Sequence, residues 1–410
     1  MPAAESVIYR APYLVPVSSP VIPDGGVLVR AGRIVAVDRF CQLASADARV
    51  KDLDGRIITP ALINCHCHLE LSHLADLGRE AAPDGGMTGW IRALLARRQD
   101  YAPETAPAAG REALRFMHRR GVALVADIGN LPASAGIGQG CETEARFFWE
   151  FLGSTEAAAE AALANLPDNA CDCAAHAPYS CHPRLLKGLK ARAVARGRLL
   201  PIHLAESEEE VEFLATGQGP FRDFIGERLR LAGLLAEGQA LSELMPSPGL
   251  SPVAYLRQLG ILDGDTLCVH LVHLTVQDLG LLAASGARAC LCPGSNRHLG
   301  VGRAPAPELL RHHILPGLGT DSLASNEQLD IWREMAILQA DHPGLKPELI
   351  FRMATLGGAR ALKVSQRLGA MAPSLEAKLL AVPFTGREEE IFSFLVNGGQ
   401  AVAPQWLEVD

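Results

Sequence analysis

Two periodicities alternate along the chain. Short apolar runs with the two-residue period of a strand are separated by stretches whose apolar positions recur every three or four residues, and such alternation predicts parallel β/α units. The strand-like runs fall at Ile57–His68, Val122–Ile128, Arg146–Phe151, Cys173–Ala177, Leu199–Ala205, Thr266–Leu271, Ala287–Pro293 and Leu315–Asp321. Between them Trp90–Arg98, Gly110–Arg119, Pro183–Arg196 and Val276–Ala284 carry helical spacing. These eight strands with intervening helices predict an α/β fold, a (β/α)8 barrel whose working side chains stand at the C-terminal strand ends. The two ends of the chain read differently. Ser6–Val15, Gly26–Val29, Arg33–Val37 and Val50–Ile58 alternate, with Ala31-Gly32 as a turn, and β character returns at Lys378–Pro383 and Ala401–Val409. Residues 1–58 and 363–410 are therefore expected to form one small β-sandwich beside a barrel of residues 59–362. Helices are expected at Asn326–Leu338 and Pro347–Leu356, with Gly357-Gly358-Ala359-Arg360 in a helix-like packing position, and Pro246–Pro252 reads as a loop.

Composition narrows the function classes. A length of 410 residues exceeds an ordinary barrel by enough for an accessory domain. The net charge of −8 provides no basic footprint for nucleic acid or an anionic membrane surface. No apolar run is long enough for a bilayer span and no signal pattern opens the chain, so the ten cysteines read as reduced thiols of a cytoplasmic protein. The expected partner is a small-molecule substrate.

The chemistry sits at the strand ends. His66 and His68, then His203 with Glu206, then His270, then Asp321 close four different predicted strands. Three histidine positions and an aspartate converging at a barrel mouth suit one divalent metal, zinc with iron as the alternative, and leave a position for water. Strand alternation places His66, His68 and Glu70 on one face, and Cys65, Cys67 and Leu69 on the other. The cysteines are thus expected to pack outward against helices. A metal lowers the pKa of bound water to about 7, and that water attacks an sp² carbon carrying an amino, amide or halide leaving group. Glu206 is placed to carry a proton to a ring nitrogen or leaving amine, Asp321 to take the proton of the attacking water, and His270 to orient that water or to stabilise developing charge. Glu206 also suits a helix start, and Glu208, Glu209 and Glu210 read as its solvated face.

The segments Pro60-Ala-Leu-Ile-Asn-Cys-His66-Cys-His68, His176-Ala-Pro-Tyr-Ser180, His203-Leu-Ala-Glu206-Ser207, His270-Leu-Val-His273, Cys292-Pro-Gly-Ser-Asn296 and Gly319-Thr-Asp321-Ser-Leu-Ala-Ser-Asn326 resemble the amidohydrolase superfamily. Within it they are most similar to the metal-dependent aminohydrolases of nucleosides and heterocyclic bases. The resemblance covers essentially the whole chain. It implies a barrel with a β-sandwich, one metal on His66, His68, His203 and Asp321, proton transfer by Glu206 and Asp321, and His270 beside the hydrolytic water. It is compatible with a homodimer. His176 matches a strand-four position near substrate. The two-metal branches carry a modified lysine on strand four, whereas Cys173-Ala-Ala-His-Ala-Pro-Tyr has none, which favours one metal.

The stretch from His66 to Ser72, followed by Met87-Thr-Gly-Trp90-Ile-Arg, is similar to aminofutalosine deaminases, which act on a modified adenine nucleoside. Related methylthioadenosine and S-adenosylhomocysteine deaminases usually carry an acidic residue before the matching tryptophan, where this chain has Thr88 and Gly89. Glu70, Trp90, His176 and Arg297 are the expected substrate contacts. Each has a structural alternative: outer-shell support for Glu70, core packing for Trp90, a supporting or packing role for His176, loop binding for Arg297. His273, His73 and His312-His313 read as loop, packing or surface residues. The functional expectation is a hydrolytic deaminase. A chlorohydrolase or amidase on the same site is the alternative, and a non-catalytic scaffold is disfavoured because every ligand position is filled.

Overall fold

A computed structural model describes residues 6–44, 46–80, 84–101, 105–167 and 171–408. The N-terminal strands β1 (Ser6–Leu14), β2 (Ile22–Arg30), β3 (Arg33–Arg39), β4 (Arg49–Asp52) and β5 (Arg56–Pro60) join two from the other end, β14 (Leu379–Pro383) and β15 (Gln405–Trp406). Together they form one mixed sheet in the order β15-β14-β5-β1-β2-β3, with β4 also on β1. The β2–β3 turn places Ala31 at φ 49° and Gly32 at φ 70°, the left-handed pair that a two-residue hairpin favours. Tyr9, Leu14, Val27, Ile58, Leu379 and Ala381 form its apolar core. Over 401–408 the tail is less extended than expected, and Val409, the last residue of the expected strand, lies outside the described residues. Only Gln405–Trp406 pairs as a strand, and Trp406 instead stacks on His118 and donates from its indole nitrogen to the His118 carbonyl.

The barrel contains β6 (Leu62–Cys67), β7 (Val122–Gly129), β8 (Glu144–Phe151), β9 (Asp172–Ala175), β10 (Leu200–Leu204), β11 (Thr266–His270), β12 (Arg288–Leu291) and β13 (Gly317–Leu318), each parallel to the next. The single strand expected over Ile57–His68 is two strands in two sheets. Pro60 ends β5, which pairs with β14 and β1, and the chain enters the barrel after Ala61. Continuous apolarity hid this break, because Ile57 through Cys67 are all buried.

β13 is only two residues long, so backbone beyond it closes the ring. Thr320 and Asp321 N–H groups donate to the His66 carbonyl, and the Asn64 side chain both donates to Thr320 Oγ1 at 2.7 Å and accepts from Thr320 N–H at 3.2 Å. Glycine permits the approach, since a Cβ on Gly319 would lie 2.8 Å from both His66 Cβ and Cys290 Sγ. At the opposite end of the barrel Ala359 and Ala361, from the short helix Gly358–Ala361, join Ile63, Leu124, Ala126 and Phe148 in the interior. Arg146 and Arg288, at the starts of β8 and β12, donate to carbonyls of Leu362 and Arg360 and so anchor this plug.

The β6–β7 register passes from Asn64 opposite Val125 to Cys67 opposite Asp127, three steps against two. This bulge overturns simple alternation. Cys65 joins the interior cluster beside Gly317 and Gly358, and only Cys67 packs outward, in the shell cluster that holds Leu114 and Met117. All ten cysteines are free. No described helix is long and apolar enough to cross a membrane.

Because Gly319 sets the distance between β6 and the residues after β13, Gly319→Ala is expected to destabilise the fold by roughly 1–3 kcal/mol through overpacking. It should also weaken metal retention by displacing His66. Thermal melts and metal analysis of the variant check both effects.

Candidate active site

Four histidines and an aspartate meet at the C-terminal ends of the strands. His203 Nε2 lies 3.2 Å from His66 Nε2 and 3.3 Å from His68 Nε2, and Asp321 Oδ1 lies 3.4 and 3.6 Å from those same two nitrogens. His270 Nε2 stands 3.4 Å from Glu206 Oε1. Alternation alone would not produce this convergence. Leu267 and Val269 face the interior and Cys268 the shell, so a continuing β11 would turn His270 outward. Instead His270 has φ 74° and Leu271 φ 54°, while Ala205 and Asp321 take φ 53° and 56°. Left-handed backbone at non-glycine residues costs about 1–2 kcal/mol each and persists where surrounding contacts enforce it. Here Val272 and His273 N–H groups donate to the Ala205 carbonyl, and both carboxyl oxygens of Glu210 accept, one from Ala205 N–H and the other from Glu206 N–H.

The layer behind the cluster fixes which nitrogen is free. His203 Nδ1 donates to the His176 carbonyl at 2.7 Å, which leaves Nε2 as a lone pair. His270 Nδ1 pairs with Asn296 Oδ1 at 3.0 Å. Asp321 Oδ2 accepts from Ser295 and Ser325 hydroxyls at 2.7 and 2.6 Å, so Oδ1 alone faces the imidazoles. Burial lowers the pKa of His66 to about 4 and pushes His68, His176, His203 and His270 down as well. Burial acts to raise Asp321, but the His66 hydrogen bond and the surrounding imidazoles hold it well below the usual carboxylate range.

Neutral imidazoles whose Nε2 atoms crowd at 3.2–3.3 Å cannot all satisfy one another with protons. A tetrahedral ion with metal–nitrogen distances of about 2.0–2.1 Å has donor-to-donor edges of about 3.3–3.4 Å, which the cluster matches. The buried His270 Nε2 also has no hydrogen-bond partner. His66, His68, His203 and Asp321 therefore fit a single divalent ion. Glu150, His176 and His203 form a second close group, but His203 Nδ1 is already committed to a carbonyl, so that group does not make a second metal site.

A cavity of about 450 Å³ opens over the cluster, a volume that suits a nucleoside-sized ligand. Glu206 lines it, and burial raises the pKa of Glu206 to about 7. His176 lines it too, with Nδ1 held by Ser180 Oγ at 2.6 Å. Trp90 forms part of the wall while its indole N–H donates to the Ala324 carbonyl, which ties the helix Gly86–Arg97 to the loop after Asp321. Glu70 borders the cavity, yet one of its oxygens accepts from Asn130 N–H, Leu131 N–H and Ser134 Oγ. The strand ends at Cys67, and a helical turn over Leu69–Leu74 redirects Glu70 toward the loop after β7.

Other expectations are corrected. Arg297, expected to contact substrate, reaches Asp341 at 2.8 Å and the Ile337 carbonyl, outside the cavity lining. Its place on the helix Pro293–Leu299 turns it outward. Glu209 and Glu210 are not a solvated face. Glu209 accepts from Met87 and Thr88 N–H groups at the start of the helix Gly86–Arg97, and Glu210 is the latch beneath Ala205 and Glu206. Sequence reasoning passed over Glu150, which lies on β8 two residues after the interior Phe148 and lines the cavity. An acid in the inward register of an apolar strand was the signal.

This fold and donor set define a class, and the chain belongs to the amidohydrolase family, whose profile matches residues 57–401. Among curated relatives, the aminodeoxyfutalosine deaminase of Deinococcus radiodurans is 35% identical over 190 residues, or 46% of this chain and 44% of that protein. That alignment spans less than half of the relative's length. The 5-methylthioadenosine/S-adenosylhomocysteine deaminase of Thermococcus kodakarensis is 30% identical over 364 residues, covering 83% of this chain and 77% of that one. Among solved structures, Helicobacter pylori aminofutalosine deaminase in complex with methylthio-coformycin superposes with a TM-score of 0.78 at 24% identity, covering 95% and 96% of the two chains. That likeness establishes the shared fold.

Two variants separate the roles assigned to these side chains. Glu210→Ala leaves two buried N–H groups unpaired and is expected to cost roughly 1–3 kcal/mol in a melt and to lower kcat by releasing Glu206. Arg297→Ala is expected to leave KM unchanged within about twofold, because its guanidinium pairs with Asp341 and the Ile337 carbonyl away from the cavity lining.

Proposed function

We propose that this protein is a hydrolytic deaminase of an aminopurine nucleoside or closely related amino-heterocycle, working with one zinc ion held by His66, His68, His203 and Asp321. The observation that carries the reading is that Glu206, on the wall of a nucleoside-sized cavity, meets His270 at 3.4 Å beside that ligand cluster. The relatives' names support the same chemistry, and the aminodeoxyfutalosine deaminase among them makes its substrate the first to try. Zinc, with iron(II) as the alternative, suits three imidazoles and a carboxylate. When bound, such an ion supplies a hydrolytic nucleophile at neutral pH by lowering the pKa of water to about 7.

The chain's own groups handle the protons. Glu206, whose pKa burial raises to about 7, exchanges a proton readily at neutral pH and passes it to a ring nitrogen or to the departing amine. Asp321 keeps Oδ2 occupied by two serine hydroxyls, so Oδ1, the oxygen that would meet the ion, is also the one that takes a proton from the attacking water. His270, anchored by Asn296, presents Nε2 to the region where oxygen charge develops. His176, oriented by Ser180, offers its other ring nitrogen to the heterocycle. The net reaction exchanges the ring amino group for a carbonyl oxygen: one water is consumed and one ammonia released. The free thiols support a reducing compartment such as the cytoplasm.

Zinc-reconstituted protein is expected to release ammonia from at least one of aminodeoxyfutalosine, methylthioadenosine, S-adenosylhomocysteine and adenosine. Glu206→Gln should lower kcat by about 10²–10⁴-fold while retaining the metal. Chelation should abolish turnover and zinc should restore it. Release of chloride from a chlorotriazine, with no ammonia from any nucleoside, would overturn the deaminase reading.

A further inference from the structure

One wall of the cavity is a helix that the barrel core does not hold. Met87, Trp90, Ile91, Leu94 and Leu95 of the helix Gly86–Arg97 line the cavity. Among the described residues none of this helix joins the two large core clusters of the barrel, and Met87 and Leu94 belong instead to two small clusters beside the mouth. The next helix, Thr105–Arg119, by contrast sends Ala113, Leu114 and Met117 into the shell core. The place of the wall helix therefore rests on discrete ties. Arg97 and its neighbour Arg98 pair with Asp76 and Glu70 at the C-terminal end, and in the middle Trp90 donates to the Ala324 carbonyl while Arg92 pairs with Glu227 at the surface.

The first turn is held from outside. Its N-cap is Gly85, which has no side chain to offer the leading N–H groups. Glu209 supplies the cap from another helix, Glu208–Thr216: Oε1 accepts from Met87 N–H at 2.9 Å and Oε2 from Thr88 N–H at 3.1 Å. An acid in this place also meets the positive end of the helix dipole. Gly86, at φ 64°, lets the carboxyl approach, since a Cβ there would collide with Oε1. Glu209 is half-buried and lies outside the cavity lining, so it acts through the helix and not on a ligand. The adjacent Glu210 turns the other way and accepts from Ala205 and Glu206 N–H groups. One helical turn thus carries two supports, one for the proton carrier and one for the wall helix.

We propose that Glu209 is a positioning residue that docks the wall helix over the cavity, so that a nucleoside meets this wall already in place. The proposal rests on the deaminase reading above for its ligand. Removing the cap shifts the helix toward an undocked state that binds nucleoside poorly. Apparent affinity falls with the docked fraction, whereas saturating nucleoside restores docking, so the cost appears in KM and not in kcat. This is the opposite signature to that of Glu210, whose loss acts on Glu206 itself.

The test compares wild type, E209A and E209Q as zinc-loaded full chains. kcat and KM are measured on whichever of adenosine and methylthioadenosine wild type deaminates faster, and amide hydrogen exchange over Gly86–Arg97 is followed with and without saturating inosine. E209A is expected to raise KM by roughly 3- to 30-fold, the size of a lost helix cap, with kcat within about twofold of wild type. E209Q, which keeps one acceptor oxygen, should fall between the two. Exchange over the helix should be faster in free E209A and return to the wild-type rate with inosine bound. An unchanged KM, a fall in kcat that exceeds the rise in KM, or fast exchange that inosine leaves in place would overturn the proposal and leave the deaminase reading standing. If wild type releases no ammonia from any nucleoside, the deaminase reading fails, and calorimetry with inosine then decides the role of Glu209. Weaker binding to E209A than to wild type supports it, and equal or absent binding overturns it. Should E209A not fold, E209Q supplies the comparison.

Discussion

Three imidazoles, a fourth close by and a carboxylate are buried within a few ångströms of one another, and the rest of the structure follows from that crowding. Burial keeps the histidines neutral, and neutrality leaves Nε2 lone pairs pointed at one another. A divalent ion resolves this repulsion better than any arrangement of protons. Ligand atoms from β6, β10 and the segment after β13 have to arrive together, so ring closure and ligand placement are one geometric problem. The His66 carbonyl accepts two backbone hydrogen bonds from the Asp321 side of the seam while the His66 ring faces the Asp321 carboxylate. Closing the barrel therefore assembles the cluster.

The strained residues serve the same end. Ala205, His270, Leu271 and Asp321 all adopt left-handed backbone at strand C-termini, where the chain must leave the sheet yet keep a side chain aimed inward. Glu210 holds one of these turns by accepting two backbone N–H hydrogen bonds. Burial raises the pKa values of Asp127 and Glu210 to about 8 and of Glu334 to about 7. These acids sit behind the site, where each accepts backbone N–H groups and fixes a loop. A polar scaffold of this kind gives the cavity one shape at the cost of desolvating several carboxyls.

Much of this was legible from the sequence, for identifiable reasons. Apolar runs and helical spacing located all eight barrel strands, and histidines at strand ends marked the site because a parallel barrel places its working residues there. Period-two reasoning failed where the backbone leaves regular geometry. The β6 bulge separates Cys65, which stays inside with Ile63, from Cys67, which packs outward; a helical turn redirected Glu70, and positive φ turned His270 toward Glu206. Runs of acids misled in the opposite way. Glu209 and Glu210 look like a solvated helix start, yet each caps backbone N–H groups elsewhere. Arg297 pairs with Asp341, a partner forty-four residues away that no local pattern announces.

X-ray absorption at the zinc edge, with metal analysis of the reconstituted protein, addresses the metal cluster most directly. One zinc per chain, with a nitrogen and oxygen shell at about 2.0–2.1 Å and outer scattering from imidazole, is the predicted result. A sulfur shell near about 2.3 Å, which would bring in Cys65 or Cys67, or two ions per chain, would contradict a site built from three histidines and Asp321.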